Sequence, residues 1–322
     1  MSFANIIGQE SAIKFLKNII SQHLVSGAYL FVGPDGTGRQ TTAIEFAKAL
    51  NCQTKGLDSC DRCVSCRKIS SMNHPDVSIV SRENKNGSIK IETIRDIIYQ
   101  TGLKPYEGNF RVFIINDAET MTEEAQNAFL KLLEEPPSYH IFILTSSNIS
   151  GLLPTVVSRC KIIKFYSIPQ RCIKDFLRSA GLEDEKAETL SHIAMGSLGS
   201  AVLYKKNDII AKRDKVINDF FLRKSVLLRE DTLVENSEED PETSLCLLLY
   251  WYRDLFISQF LQDRDFLLNI DRAGEIFSYA KRFSLRRLER DLLIIMDTFN
   301  MINKNVNPKI ALFNMAISLR PV

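Results

Sequence analysis

Over the first half of the chain, short uninterrupted apolar runs alternate with segments of helical period; beyond Ile168 only the helical period continues. "GAYLFVG", "DVSIVS", "RVFIIND", "HIFILTSS" and "KIIKFYSI" each read as a strand, and the continuous apolar runs among them as strands covered on both faces. Between them lie the helical segments "TTAIEFAKALNC", "IKIETIRDIIYQTGL" and "TEEAQNAFLKLLEE". In the second of these, Ile91, Ile94, Ile97 and Ile98 are expected to share one face. The third has acidic residues in its first turn, where the helix dipole favours them, and is stopped by Pro136-Pro137. Such alternation predicts a parallel sheet with helices on both sides and ligands at the carboxyl ends of the strands. After Ile168, "QRCIKDFLRSAG", "DEKAETLSHIAMG" and "LGSAVLYKK" predict a three-helix unit. A polar stretch, "RKSVLLREDTLVENSEEDPE", has no clear boundaries, and long apolar-rich helices follow it.

Length changes this picture little: 322 residues exceed one ordinary core, so two or three domains are expected. No apolar run approaches the ~20 residues of a membrane helix. The first residues, "MSFANIIGQESAIKFLKNII", form an amphipathic pattern and not a signal peptide, so a cytoplasmic protein with no membrane partner is expected. Forty-one basic residues face 39 acidic ones, so net charge identifies no nucleic-acid binder.

Candidate chemistry begins at "VGPDGTGRQTTAIEFAKAL". Gly33, Gly36 and Gly38 carry the spacing of a phosphate-binding loop feeding a helix, whose backbone N–H groups could cradle an anion. Arg39 stands where the loop lysine belongs and Gln40 where a magnesium-binding hydroxyl belongs. Thr41 and Thr42 bring hydroxyls one and two positions late. On the loop alone two readings stand, a ligand-free turn or the relic of a nucleotide site. The strand "VFIIND" ends on Asp117, the metal-holding position of ATPases, but Ala118 follows, and Glu119 comes one residue late and should point away. Hydrolysis at this loop is therefore not expected.

Of seven cysteines, Cys52, Cys60, Cys63 and Cys66 fall in one polar segment, a spacing that lets four thiolates converge on a structural zinc ion. His74 could substitute for one of these ligands but reads better as part of the loop before a strand. Cys160, Cys172 and Cys246 are isolated and read as small apolar residues. Arg95 and Lys104 read as a solvated face, and Trp251 as packing in the helical region and not a base-stacking platform.

At "NAFLKLLEEPP" followed by "TVVSRC" the chain resembles the bacterial clamp-loader subunits of DNA polymerase III. "IIGQ", the cysteine module, "HPD" and "KPYEGNFRVFIINDAE" extend the resemblance over roughly the first 200 residues. The resemblance implies an α/β AAA+ P-loop module (parallel sheet with flanking helices) over 1–167 carrying the zinc loop 52–66. An all-α three-helix lid over 168–207 and an all-α collar domain over 208–322 that oligomerises would follow. Motor subunits of the gamma/tau type keep the loop lysine and hydroxyl, an aspartate-glutamate pair and a lid arginine after "GSL". Here Gly199 occupies that last position, so the departures resemble the delta-prime class and put ATP binding by this chain in doubt. The "SRC" arginine, Arg159, would then be an arginine finger completing a neighbour's ATP site in trans; pairing with a carboxylate at a domain boundary is the alternative role. Implied partners are gamma/tau motor subunits and delta in a pentameric ring, with the sliding clamp and primed DNA reached through the assembly. The chain would lack ATPase activity while belonging to the polymerase holoenzyme. The rival reading is a divergent gamma/tau-type motor that hydrolyses ATP with Arg39 and Thr41.

Overall fold

The computed structural model describes residues 2–25, 27–82, 84, 87–218, 241–304 and 306–319. Most of the polar stretch without clear boundaries thus lies outside the described residues. The chain divides into two compact units, Met1–Cys172 with Ser197–Gly199, and Ile173–Gly196 with Ser200–Val322.

The first unit opens with a 3-10 turn (Phe3–Asn5) and α1 (Glu10–Ser21), followed by β1 (Gly27–Val32), α2 (Arg39–Leu50), α3 (Val64–Ser70) and β2 (Val77–Val80). α4 (Ile91–Gln100), β3 (Arg111–Ile115), α5 (Glu123–Glu134), β4 (His140–Ser146), α6 (Pro154–Ser158) and β5 (Lys161–Lys164) complete it, and α7 (Gln170–Ser179) begins within it. All four strand pairings are parallel, in the order β2-β3-β4-β1-β5. Every apolar run named as a strand is one, and together they build the expected parallel sheet with flanking helices.

The apolar runs of β1, β3 and β4 are unbroken because each of these strands alternates between two buried layers. Tyr29 and Phe31 of β1 join Ile114, Ile141, Ile143, Phe3, Leu16 and Phe46 on one face of the sheet. Ala28 and Leu30 join Phe113, Phe142, Leu144, Ile94 and Phe129 on the other. Central strands therefore have no solvated side to mark with polar residues. In α4 the expected four-isoleucine face narrows. Ile94 and Ile97 are buried, whereas Ile98 is 38% exposed. At ~100° per residue, position 98 lies about 100° from 97, at the rim of the buried arc.

The second unit is helical: the rest of α7, α8 (Asp184–Ile193), α9 (Leu198–Lys206, entering from the first unit), α10 (Ile209–Ile217), α11 (Pro241–Ile257), α12 (Ala273–Ala280), α13 (Leu285–Asn303) and α14 (Pro308–Ser318). Trp251 is fully buried in its core among Leu248, Leu288 and Ile295, with the Arg272 guanidinium 5.1 Å from its ring centre. A buried carboxylate, Asp254, accepts from the backbone N–H groups of Leu268 and Asn269 and so fixes the link before α12.

Candidate functional site

The carboxyl ends of β1, β3 and β4 lie side by side, because β4 pairs with both β1 and β3. The glycine loop leaves β1, the Asp117 turn leaves β3 and Ser147 follows β4, so the parallel sheet gathers at one edge residues that sequence spaces far apart.

Gly38, at φ +95°, caps α2, and Gly36 stands at φ +69°. Arg39 folds back within its own loop. Its Nη2 pairs with Asp35, the side chain is only 7% exposed, and Nη1 is buried without a hydrogen-bond partner among the described residues. Gln40 and Thr41 are exposed on the helix. The Thr42 hydroxyl donates to the Gly38 carbonyl at 2.7 Å and is thereby used inside the helix.

The turn Ser197–Gly199 seats on this loop. The Gly199 amide donates to the Gly36 carbonyl at 3.0 Å. A Cβ on Gly199 would stand 2.9 Å from Gly36 Cα, and a Cβ on Gly36 would run into Ser197 Oγ. The bare Cα of Gly199 permits the contact. Sequence spacing showed the substitution but not the approach, which joins residues far apart in the chain.

Asp117 adopts a left-handed conformation (φ 49°), and its Oδ2 lies 3.5 Å from Arg82 Nε. Glu119 is turned onto the end of β4, where its Oε1 accepts from the Ser147 amide at 2.9 Å and the Ser147 hydroxyl at 2.5 Å. Burial raises the Glu119 pKa, but these donors outweigh it and hold the carboxyl below its ordinary range. Ala118 is fully buried.

Arg159 caps the C-terminus of α6. Its Nη1 donates to the Thr155 carbonyl at 2.8 Å, and its Nη2 lies 2.5 Å from Glu134 Oε1, in the "LLEE" end of α5. The two most recognisable motifs thus meet in one partly exposed ion pair. Arg95 and Lys104 are exposed. Cys160 is intermediate in exposure, its thiol pushed up to about 12 by burial. Cys172 and Cys246 lie in α7 and α11, also at intermediate exposure.

Four cysteine sulfurs, of Cys52, Cys60, Cys63 and Cys66, lie within 4.8 Å of one another. A tetrahedral zinc with Zn–S of about 2.3 Å needs sulfurs about 3.8 Å apart, so the donor set fits in number, softness and spread. The Cys63 amide donates to Cys60 Sγ and the Cys66 amide to Cys63 Sγ, both at 3.4 Å. Backbone donors from Arg62 and Cys63 pull the Cys60 thiol down to about 6, whereas burial pushes that of Cys66 up. His74 is not in the cluster. Its Nε2 meets Ser65 Oγ at 3.1 Å and its Nδ1 accepts from the Asp76 amide at 3.1 Å. Asp76, fully buried, accepts the amides of Tyr106, Glu107 and Gly108 at 2.7–2.8 Å. The "HPD" segment therefore holds the 104–110 loop against the cysteine module. The same reach was hidden in Lys48, an ordinary-looking helix lysine. It is fully buried and bound to Glu45 and Asp61.

A family model described as DNA polymerase III, delta subunit, matches residues 8–169, half of the chain. The chain belongs to this family. Subunit delta′ of DNA polymerase III from Bacillus subtilis (strain 168) is 29% identical over 308 residues, covering 93% of this chain and 92% of that one. Subunit tau of the same organism is 37% identical over 172 residues, 53% of this chain but 30% of tau. The chain thus spans nearly all of the delta′ relative and under a third of tau. A solved gamma subunit-related protein from Thermotoga maritima aligns with a TM-score of 0.45 at 19% identity, over 96% of this chain and 98% of that one. Among the described residues no helix is long and apolar enough to cross a membrane.

Proposed function

We propose that this delta-family chain is a delta-prime-like component of the bacterial clamp loader. In this reading it does no ATP chemistry of its own and supplies Arg159 as an arginine finger to a neighbouring motor subunit. The observation that carries the reading is the state of the glycine loop. Its arginine is spent on Asp35, its helix hydroxyl on Gly38, and its Gly36 carbonyl on Gly199. Gly33, Gly36, Gly38, Arg39, Thr41 and Asp117 would then be a retained scaffold and not a working nucleotide site.

Arg159 is suited to act outside its own chain. Its partner Glu134 is itself 48% exposed, and a partly exposed pair of this kind is worth about 0–1 kcal/mol, so a γ-phosphate in trans can compete for the guanidinium. Such a finger contributes about 10³–10⁵ to rate in other NTPases. The assembly we envisage is a cytoplasmic pentameric ring with gamma/tau motors and delta, acting on the sliding clamp and primed DNA. The AAA+ module (1–167), lid (168–207) and collar (208–322) are its proposed working parts. Exposed apolar residues on α14, Ile310, Phe313 and Ile317 at helical spacing, support a collar that meets other subunits. We assign zinc to the four cysteines, a closed set that leaves no open position for catalysis.

The test measures ATP turnover by the purified chain alone, then by motor subunits with wild-type or Arg159→Ala protein. Turnover by the isolated chain would replace this reading with that of a divergent motor using Arg39 and Thr41. Unchanged turnover by motors carrying Arg159→Ala would remove the finger.

A further inference from the structure

The cysteine module contacts more of the first unit than its own loop. Asp58, between Cys52 and Cys60, accepts the Phe3 amide at 3.0 Å through Oδ1, while its Oδ2 lies 3.5 Å from Lys17 Nζ in α1. Phe3 is 1% exposed, packed in the core layer shared by α1 and α2. Six residues on, Gln9 is 3% exposed and spans two neighbours. Its Nε2 donates to the carbonyls of Thr37 at 3.2 Å and Tyr166 at 2.7 Å, and its Oε1 accepts the Tyr166 amide at 3.1 Å. Thr37 is inside the glycine loop. The segment 2–9 is therefore held at one end by the cysteine module and holds that loop at the other. A second connection runs through α2, where Ser59 donates to Glu45 at 3.1 Å and Asp61 pairs with the buried Lys48.

Within the module little apolar burial is available to fix Asp58 in place. Leu57 beside it is 49% exposed, and the intervening residues are polar. Loops of this composition take their shape from the ion they bind.

We propose that metal loading on the four cysteines sets the position of segment 2–9 and, through Gln9, of the glycine loop, with Asp58 as the coupling residue. The inference rests on the assignment of a metal to those cysteines. The ion supplies only a fixed tetrahedral node. The chain's own residues transmit its effect, first by the carboxylate-to-amide bond from Asp58 to Phe3 and then by the side-chain amide of Gln9.

Amide hydrogen exchange on the full chain tests this, with Zn²⁺ loaded or removed by a chelator and bound zinc measured separately. Stripping zinc is expected to speed exchange about tenfold or more in 2–9 and 33–38, as loss of a charge-assisted hydrogen bond implies, while Arg111–Ile115 in β3 keeps its protection. Zinc-loaded Asp58→Ala should loosen 2–9 but leave 60–66 protected. Asp58→Asn, which keeps an acceptor for the Phe3 amide but loses the charge, should loosen 2–9 less than Asp58→Ala does. A chain that binds no zinc removes the metal assignment and the inference with it. Zinc binding with 2–9 unchanged on stripping, or a rise that is equal in β3, overturns the coupling alone.

Discussion

Replacing Gly36 by alanine tests whether the Ser197–Gly199 turn closes the loop. Gly27, at the start of β1, is a matched control in the same unit: its φ is +73° against +69° at Gly36, and an added Cβ there meets only Pro136 Cγ at 3.6 Å, an ordinary contact. Both alanines bear the left-handed backbone penalty, about 1–2 kcal/mol. At Gly36 the methyl must also displace Ser197 and stands 3.1 Å from the Gly199 amide. Loss of the Gly199-to-Gly36 hydrogen bond adds about 0.5–1.5 kcal/mol, and an off-rotamer Ser197 adds about 0.5–1.5 more. Gly36→Ala should thus be about 1–3 kcal/mol worse than Gly27→Ala, or about five- to 140-fold in opening equilibrium. The assay must be chosen by location. Fluorescence of the one tryptophan, Trp251, reports the second unit, so protection of β1, β3 and β4 amides by hydrogen exchange is the proper measure. Adding Ser197→Gly to Gly36→Ala should recover part of the excess. Equal destabilisation by the two alanines would refute the seating of the turn on the loop.

Placing a lysine and a hydroxyl at the glycine loop with Arg39→Lys/Gln40→Ser should not by itself confer Mg·ATP binding, because Gly36 stays engaged; micromolar binding in a titration with a fluorescent ATP analogue would contradict this. Arg159→Ala should change the chain's own unfolding midpoint little, since its exposed pair is worth about 0–1 kcal/mol, while motor turnover in the assembly drops steeply. Lys48→Met leaves Glu45 buried without its cation and should cost about 3–5 kcal/mol, seen as faster exchange in α2 and faster zinc release to a chromogenic chelator. Burial alone would raise the Asp76 carboxyl, but three backbone amides hold it below its ordinary value. Its stabilisation should be complete above about pH 5 and fade as pH falls through the lowered native pKa, and Asp76→Asn should flatten that limb of the exchange-versus-pH profile.

Strands and helices of the first unit were legible because their chemistry is local. An apolar run of strand length or a helical period needs no knowledge of what it packs on. Ile98 shows the limit, since a four-residue pattern cannot say where a buried arc ends. The glycine spacing, the altered Arg39 and Gln40, the convergent cysteines and the "SRC" arginine were equally readable, as each is a choice of residue at a fixed position. What each does with its donors and acceptors was not. Arg39 turns onto Asp35 within its own loop, whereas Arg159 meets Glu134 and Glu119 reaches Ser147 only once the fold has set their elements beside one another. Asp58 gives no signal in sequence, because its partners come from other elements, and Lys48 shows only its i,i+3 spacing to Glu45 and not the pairing with Asp61. Composition and spacing determined which groups this protein possesses and at which positions. Tertiary structure decided which groups are already occupied, since a hydrogen bond or ion pair between distant residues depends on a distance that only the packed sheet and its loops create.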